Sequence, residues 1–299
     1  MLRPQASIFN ESSTCHYFLE YKLQSNIDHK TLITALSEVL ASFSEHDAEV
    51  VIAFGKYSWD LLSPTASETG LKSFETLNGV NNFVLPGTQN DILFWIHSLH
   101  HDNNFDQALV IQRCLRPVAE LVLELPGFKY HDSRDLTGFV DGSANPRGDD
   151  ARLAALIPAG ETGEGGSFVL TQQWVHDLEK FNQLSQTEQE HVIGRTKPDS
   201  VEFAEDDMPS DSHVSRTDVK LDDKALKIYR RSTPYGSVTQ HGLYFIAFSC
   251  ELMRFEVILQ RMFGLSGDHQ HDRLIEFSQA ISGAYWFAPS SEALDALLQ

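Results

Sequence analysis

The sequence predicts an α+β protein of two ferredoxin-like domains, each an antiparallel sheet with helices packed on it. Three observations carry that prediction. The chain has 299 residues, a length that suits two domains of about 150 each. Over the first half, strand-like alternation and helix-like apolar periodicity succeed one another in the order β-α-β-β-α-β, the split βαβ arrangement. A similar order recurs over the second half, although identity between the halves is low. The division falls between an N-terminal domain over 1–134 and a C-terminal domain over 135–299.

Residues 16–23 alternate as a strand does, and Asp28 is placed to cap a helix whose apolar face carries Leu32, Ile33, Leu36, Val39 and Leu40. Residues 50–54 read as a strand, followed by a polar loop region and a strand over 91–96. A helix over 103–115 and a closing strand over 119–125 complete the first set. The glycine cluster at 160–166 leads into a strand over 167–175, then a helix over 180–193 and a short apolar segment at 225–229. An aromatic strand at 242–248 runs into a helix over 251–262, as the strand at 91–96 runs into the helix after it. Two stretches, 130–150 and 197–220, are rich in turn formers and lack periodicity; long loops of this kind usually carry function.

The composition is that of an ordinary globular protein, with 41% hydrophobic and 22% charged residues. Its 23 basic and 42 acidic side chains give a net charge of −19, which excludes a dominant role on nucleic acid or an anionic membrane. No stretch approaches the roughly 18 apolar residues needed to cross a bilayer. The N-terminus has neither a secretory apolar run nor a twin arginine, and the C-terminus leaves little room for a docking tail. The three cysteines are far apart and make no CxxC pair, so reduced thiols in a cytoplasmic protein are expected.

Several constellations fail on spacing. From Asp141 oxygen ligands recur as in a calcium loop, but Pro146 stands where the loop needs glycine and Arg152 where it needs glutamate. The glycine cluster lacks the Lys-Ser/Thr of a phosphate cradle. His97 and His101 share a helical spacing without a third ligand, and read with His100 as strand-end and helix-start residues; His269 and His271 read as surface. His213 stands in Asp211-Ser-His-Val-Ser-Arg216, directly after the acidic residues Glu202, Glu205, Asp206 and Asp207. Taken alone, it reads as a satisfied loop histidine.

Set in order, five segments resemble the dye-decolourising peroxidases. Gly138-Phe-Val-Asp-Gly142 is similar to that family's GxxDG motif, with Asn145-Pro146 following. The segment around His213 resembles the proximal haem-histidine segment, and Arg230-Arg-Ser-Thr-Pro-Tyr-Gly236 the distal-arginine segment. Gly242-Leu-Tyr-Phe-Ile-Ala-Phe248 resembles the haem-pocket strand and Ser282-Gly-Ala-Tyr-Trp-Phe-Ala-Pro-Ser290 the C-terminal strand. Short loops align the chain with the compact intracellular class.

The resemblance implies a haem peroxidase that reduces hydrogen peroxide and oxidises dyes, phenols or other small organic donors through an oxo-ferryl intermediate. It implies haem b (iron protoporphyrin IX) with His213 as the axial iron ligand and Glu276 as the acidic partner of that histidine. Asp141 is the implied proton carrier and Arg230 the electrostatic stabiliser, able also to pair with a haem propionate. Arg231 is adjacent, and Ser232 stands where some members carry asparagine. Val140, Gly142, Ser143, Leu243 and Phe245 are the further implied haem contacts. A narrow pocket would exclude bulky dyes, so Tyr130, Tyr235 and Trp286 are the candidates for electron transfer to them. A homo-oligomer, dimer or larger, is expected. The acidic surface should favour neutral or cationic donors. The alternatives are a protein that handles haem or its iron without peroxide turnover, and an acidic interaction scaffold.

Overall fold

The structure is a computed structural model that describes residues 2–44, 47–63 and 69–297. The first half places strands β1 (Cys15–Leu23), β2 (Glu49–Phe54), β3 (Ile92–Ser98) and β4 (Ala119–Phe128) around helices α1 (His29–Ala41) and α2 (His101–Leu115). Asp28 caps α1, its side chain accepting from the Thr31 N–H at 2.8 Å. The stretch read as a polar loop region holds a further helix, Lys56–Leu62.

The second half contains β5 (Ser167–His176), β6 (Tyr229–Arg230), β7 (Thr233–Gly236), β8 (His241–Ser249), β9 (Ser278–Ala280) and β10 (Ala284–Ala288). Its helices include α3 (Gln186–Ile193), α4 (His213–Thr217) and α5 (Leu252–Met262). The single helix expected over 180–193 is broken: a short helix Leu178–Phe181 precedes α3, because Ser185 and Glu188 form a reciprocal capping box that starts a new helix. Gly194, at φ 91°, ends α3 in the left-handed conformation that glycine adopts without strain.

These ten strands form one antiparallel sheet in the order β6-β8-β7-β4-β1-β3-β2-β10-β5-β9, and the further pairing of β8 with β5 closes it into a ring. Within the first half the order is β4-β1-β3-β2, within the second β10-β5-β8-β7. With the short end strands β6 and β9 left out of the count, both read fourth-first-third-second. The halves meet through single residue pairs, Tyr235 opposite Gly127 and Phe287 opposite Phe54.

Most of the long strands are buried on both faces; β4, with Glu120, Val122 and Glu124 exposed, is the exception. On β1, Phe18 points into the ring with Trp95, Tyr244, Phe248 and Trp286, while Leu19 and Tyr21 lie outside beneath Leu32, Leu36 and Ile111 of the helices. Each such aliphatic side chain contributes roughly 1.5–3 kcal/mol on burial. The ring interior also takes polar groups that alternation alone would send to solvent. His97, fully buried, bonds Ser13 Oγ at 2.7 Å and the Ser7 carbonyl at 3.0 Å. His269 is exposed, but His271 is half-buried and held by a carboxylate rather than by water. The three cysteines form no disulfide among the described residues, and no helix there is long and apolar enough to cross a membrane.

Candidate active site

The loop from Lys129 to Arg147 is a knot of turns that presents Asp141. Gly138 and Gly142 take φ values of 90° and 76°, conformations open to glycine and strained for other residues. Between them Val140 bridges to Arg134 and the Asp141 N–H bonds the Ser133 carbonyl at 3.0 Å. The Arg134 guanidinium donates to the Gly138 and Lys197 carbonyls, both at 2.8 Å, and so pins the turn. Asn145 then stitches the loop to β6. Its amide donates to the Arg230 carbonyl and its oxygen accepts from the Arg230 N–H, each at 2.9 Å.

Arg230 makes no side-chain hydrogen bond or ion pair among the described residues, yet its charge acts on Asp141. Burial pushes the Asp141 carboxyl above its ordinary range, and the Arg230 guanidinium pulls the other way. Nearby, burial also opposes the charged form of Asp135, but the His176 imidazole at 3.0 Å holds that carboxyl low.

His213 opens α4, a helix of five residues that cannot hold itself. Arg216 anchors it: 1% exposed, it pairs with Asp268 at 2.6 Å and donates to the Arg261 carbonyl at 2.9 Å. That pairing holds the Asp268 carboxyl far below its usual range. His213 Nδ1 lies 2.6 Å from Asp272 Oδ2. Asp272 is fully buried, and its other oxygen caps the 3-10 helix Arg273–Glu276 by accepting from the Leu274 N–H at 2.9 Å. The imidazole is thereby oriented with Nε2 left for the cavity it lines.

That cavity has a volume of about 390 Å³. Strand alternation builds one wall: Leu243 and Phe245 of β8 face it, while Tyr244 and Ile246 between them face the ring interior. Leu170 and Trp174 of β5 extend that wall, and Ile258, Leu259 and Met262 of α5 contribute from the helix side. Gln172 stands in the same β5 row, 2% exposed. Its Oε1 accepts from the Trp174 indole at 3.3 Å, and its Nε2 has no partner among the described residues.

The cavity brings together His213, Asp141, Arg230, Val140, Gly142, Ser143, Leu243 and Phe245. It does not include Glu276, which corrects the expectation that this residue supports His213. Glu276 Oε1 instead bonds His271 Nε2 at 2.9 Å. The reason is local geometry. Asp272 is the cap of the 3-10 helix and Glu276 its last residue; at three residues per turn, the two side chains leave in different directions. An aspartate two positions before the apolar pair Leu274-Ile275 is the capping signal that could have pointed to Asp272.

The aromatic candidates also lie outside the cavity. Trp286 is fully buried, with Nε1 donating to Thr171 Oγ1 at 2.8 Å. Tyr235 is 3% exposed and donates to the Trp174 carbonyl at 3.1 Å. Tyr130 is half-buried at the surface, its ring 4.0 Å from that of His131. Ser232 does not line the cavity, and its hydroxyl is buried without a partner among the described residues.

Family models described as Dyp-type peroxidase, N-terminal and C-terminal, match residues 5–129 and 132–293. A dye-decolorizing peroxidase from Mycobacterium tuberculosis is 37% identical over 250 residues, which cover 82% of this chain and 74% of that one. The crystal structure of a putative Dyp-type peroxidase from Shewanella oneidensis superposes with a TM-score of 0.92 at 32% identity, over 100% of this chain and 99% of the other. A variant of DypB from Rhodococcus jostii, solved in complex with heme, gives 0.89 at 34% identity over 98% of each chain.

Proposed function

The chain belongs to the Dyp-type peroxidase family and is a haem peroxidase, and from that premise we propose how its own residues serve the reaction. The cavity suits haem on its donor chemistry. Among the described residues it offers one imidazole nitrogen without a hydrogen-bond partner, Nε2 of His213, both nitrogens of the other lining histidine, His176, being bonded. It also has apolar walls for a flat macrocycle, a guanidinium without a carboxylate partner, and the orphaned amide of Gln172. No cysteine lines it, which supports the non-covalent b type. Bound there, haem supplies the iron at which peroxide is reduced and the oxidising equivalents that electron donors consume.

His213 would hold the iron through Nε2, and Asp272, by accepting the Nδ1 proton, would keep that nitrogen available as a ligand. Asp141 would take a proton from one oxygen of incoming peroxide and return it to the other. The raised proton affinity that burial confers on this carboxyl suits a group that must both accept and release. Arg230 stabilises the negative charge that develops on the departing oxygen. Val140, Gly142 and Ser143 border the site beside Asp141, and Leu243 with Phe245 keeps it dry.

Tyr130, Tyr235 and Trp286 stand as electron-transfer positions. The burial of Tyr235 and Trp286 favours Tyr130 as the point nearest to a bulky donor. The common strand order of the halves supports a pair of ferredoxin-like domains split at 134/135. A homo-oligomer in the cytoplasm completes the proposal.

One observation carries the reading: a single apolar cavity joins the carboxylate-held imidazole of His213 to Asp141 and Arg230. The test is the absorption spectrum of the haem-loaded protein before and after stoichiometric peroxide, for wild type and His213→Ala. Wild type should change on peroxide addition, and the variant should lose the axial-ligand signature. Haem bound to His213→Ala with an unaltered spectrum would refute the ligand assignment. Handling of haem without peroxide turnover is not favoured.

A further inference from the structure

Behind the wall that Leu243 and Phe245 present to the cavity, the side chain between them points the other way. Tyr244 is fully buried in the ring interior. Its hydroxyl donates to Glu20 Oε1 at 2.6 Å. Glu20, 2% exposed, has no ion-pair partner among the described residues; its second oxygen accepts from Asn90 Nδ2 at 2.7 Å. Phe18 stacks on the phenol with ring centroids 4.1 Å apart. A buried carboxylate without a cation is costly, and packing alone does not require one here. A phenol joined by a short hydrogen bond to a base of raised proton affinity, one strand's thickness from the cavity that His213 lines, is a chemical arrangement as well as a structural one.

We propose that Tyr244 and Glu20 form a buried proton-coupled redox site, in which Tyr244 stores one oxidising equivalent generated by peroxide. The proposal rests on the haem peroxidase reading. In the forward step one electron leaves the Tyr244 ring for the oxidant that peroxide generates. The phenolic O–H bond breaks and its proton forms a new bond to Glu20 Oε1. The products are a neutral phenoxyl radical and a neutral carboxylic acid, so no net charge is left in the interior. In the return step an electron from the reducing substrate restores the phenolate and Glu20 gives its proton back. Burial pushes the Glu20 carboxyl up and the Tyr244 phenol well up, so the ionised phenol alone is disfavoured and electron and proton leave together. Burial also keeps the radical from solvent and from other protein molecules.

The test is electron paramagnetic resonance of haem-loaded protein frozen after peroxide addition, with ring-deuterated tyrosine to identify the radical. Infrared difference spectra of the same reaction report the protonation of Glu20. Wild type should give a tyrosyl signal that narrows with the deuterated ring, together with a new carboxylic-acid C=O band. Tyr244→Phe should lose both. Glu20→Gln keeps the carbonyl acceptor for the phenol but removes the base, so it should lose the acid band and most of the radical. A merely structural pair moves neither readout. The same tyrosyl signal in Tyr244→Phe overturns the proposal, as does a full-strength radical in Glu20→Gln. The haem absorption change, recorded in the same samples, separates the two readings. A wild-type haem that responds to peroxide without a Tyr244 radical overturns this inference alone; one that does not respond overturns the peroxidase reading with it.

Discussion

Asp272 Oδ2 lies 2.6 Å from Nδ1 of His213, and the carboxylate is sealed from solvent while the imidazole faces the cavity. This one bond sets the ring plane and leaves Nε2 free on the cavity side, where it would hold the iron of a bound haem.

Asp272→Asn should therefore keep the fold and weaken the ligand. The loss in haem affinity or peroxide rate should be about 10–100-fold, the usual cost of removing such a partner. Titration with haem and the reduction potential of the loaded protein measure it, the potential rising as the imidazole becomes less basic. Glu276→Gln should cost less than about 1 kcal/mol of stability and leave both quantities unchanged, since its partner is the half-exposed His271.

Asp141→Asn should slow the reaction with peroxide by about 10²–10⁴-fold, and Arg230→Ala by about 10²–10³-fold. Asp141 must be ionised to accept a proton, and its carboxyl is raised by burial. The wild-type rate should consequently fall toward acid, with a midpoint above the ordinary aspartate value. Stopped-flow rates against pH should show that acid limb in wild type and none in Asp141→Asn.

Burial, first of all, drives the His16 and His97 pKa values down to about 3. In the unfolded chain both titrate near pH 6.5, so below that pH the unfolded state binds protons that the folded state refuses. Stability is full above about pH 6.5 and falls as pH drops toward 3, by roughly 1.4 kcal/mol per pH unit for each proton. Urea unfolding between pH 7 and pH 4.5 measures the slope. His16→Gln combined with His97→Gln should flatten it even where it lowers the starting stability.

For donors too large for the cavity, Tyr130→Phe should slow turnover more than Tyr235→Phe, because Tyr235 is shielded from solvent. Reaction with peroxide should be unaffected in both. Equal dye rates in wild type and the two single variants would remove these tyrosines from the route.

Much of this was legible beforehand where one periodicity dominates. The cap at Asp28, the alternation of Leu243 and Phe245 and the turn-rich loop around Asp141 each answer to a local rule. The partner of His213 was missed by four positions because a short 3-10 turn, invisible to periodicity, decides which carboxylate reaches back. Glu20 and His97 escaped for another reason: in a sheet covered on both faces, a polar residue in an alternating pattern can point into a second core rather than to water. Ring closure was hidden because it depends on two single residue pairs between distant segments.

That closure bears on how the chain survives its own synthesis. Each half, released alone, would present two raw sheet edges, and unpaired edges invite other chains to add strands. In the intact ring each half consumes the other's edges. The first half emerges earlier from the ribosome and must wait with its edges unpaired until the second is complete. The dangerous interval for aggregation is therefore the time between the two, and a slow or truncated second half should produce inclusion bodies rather than a smaller working protein.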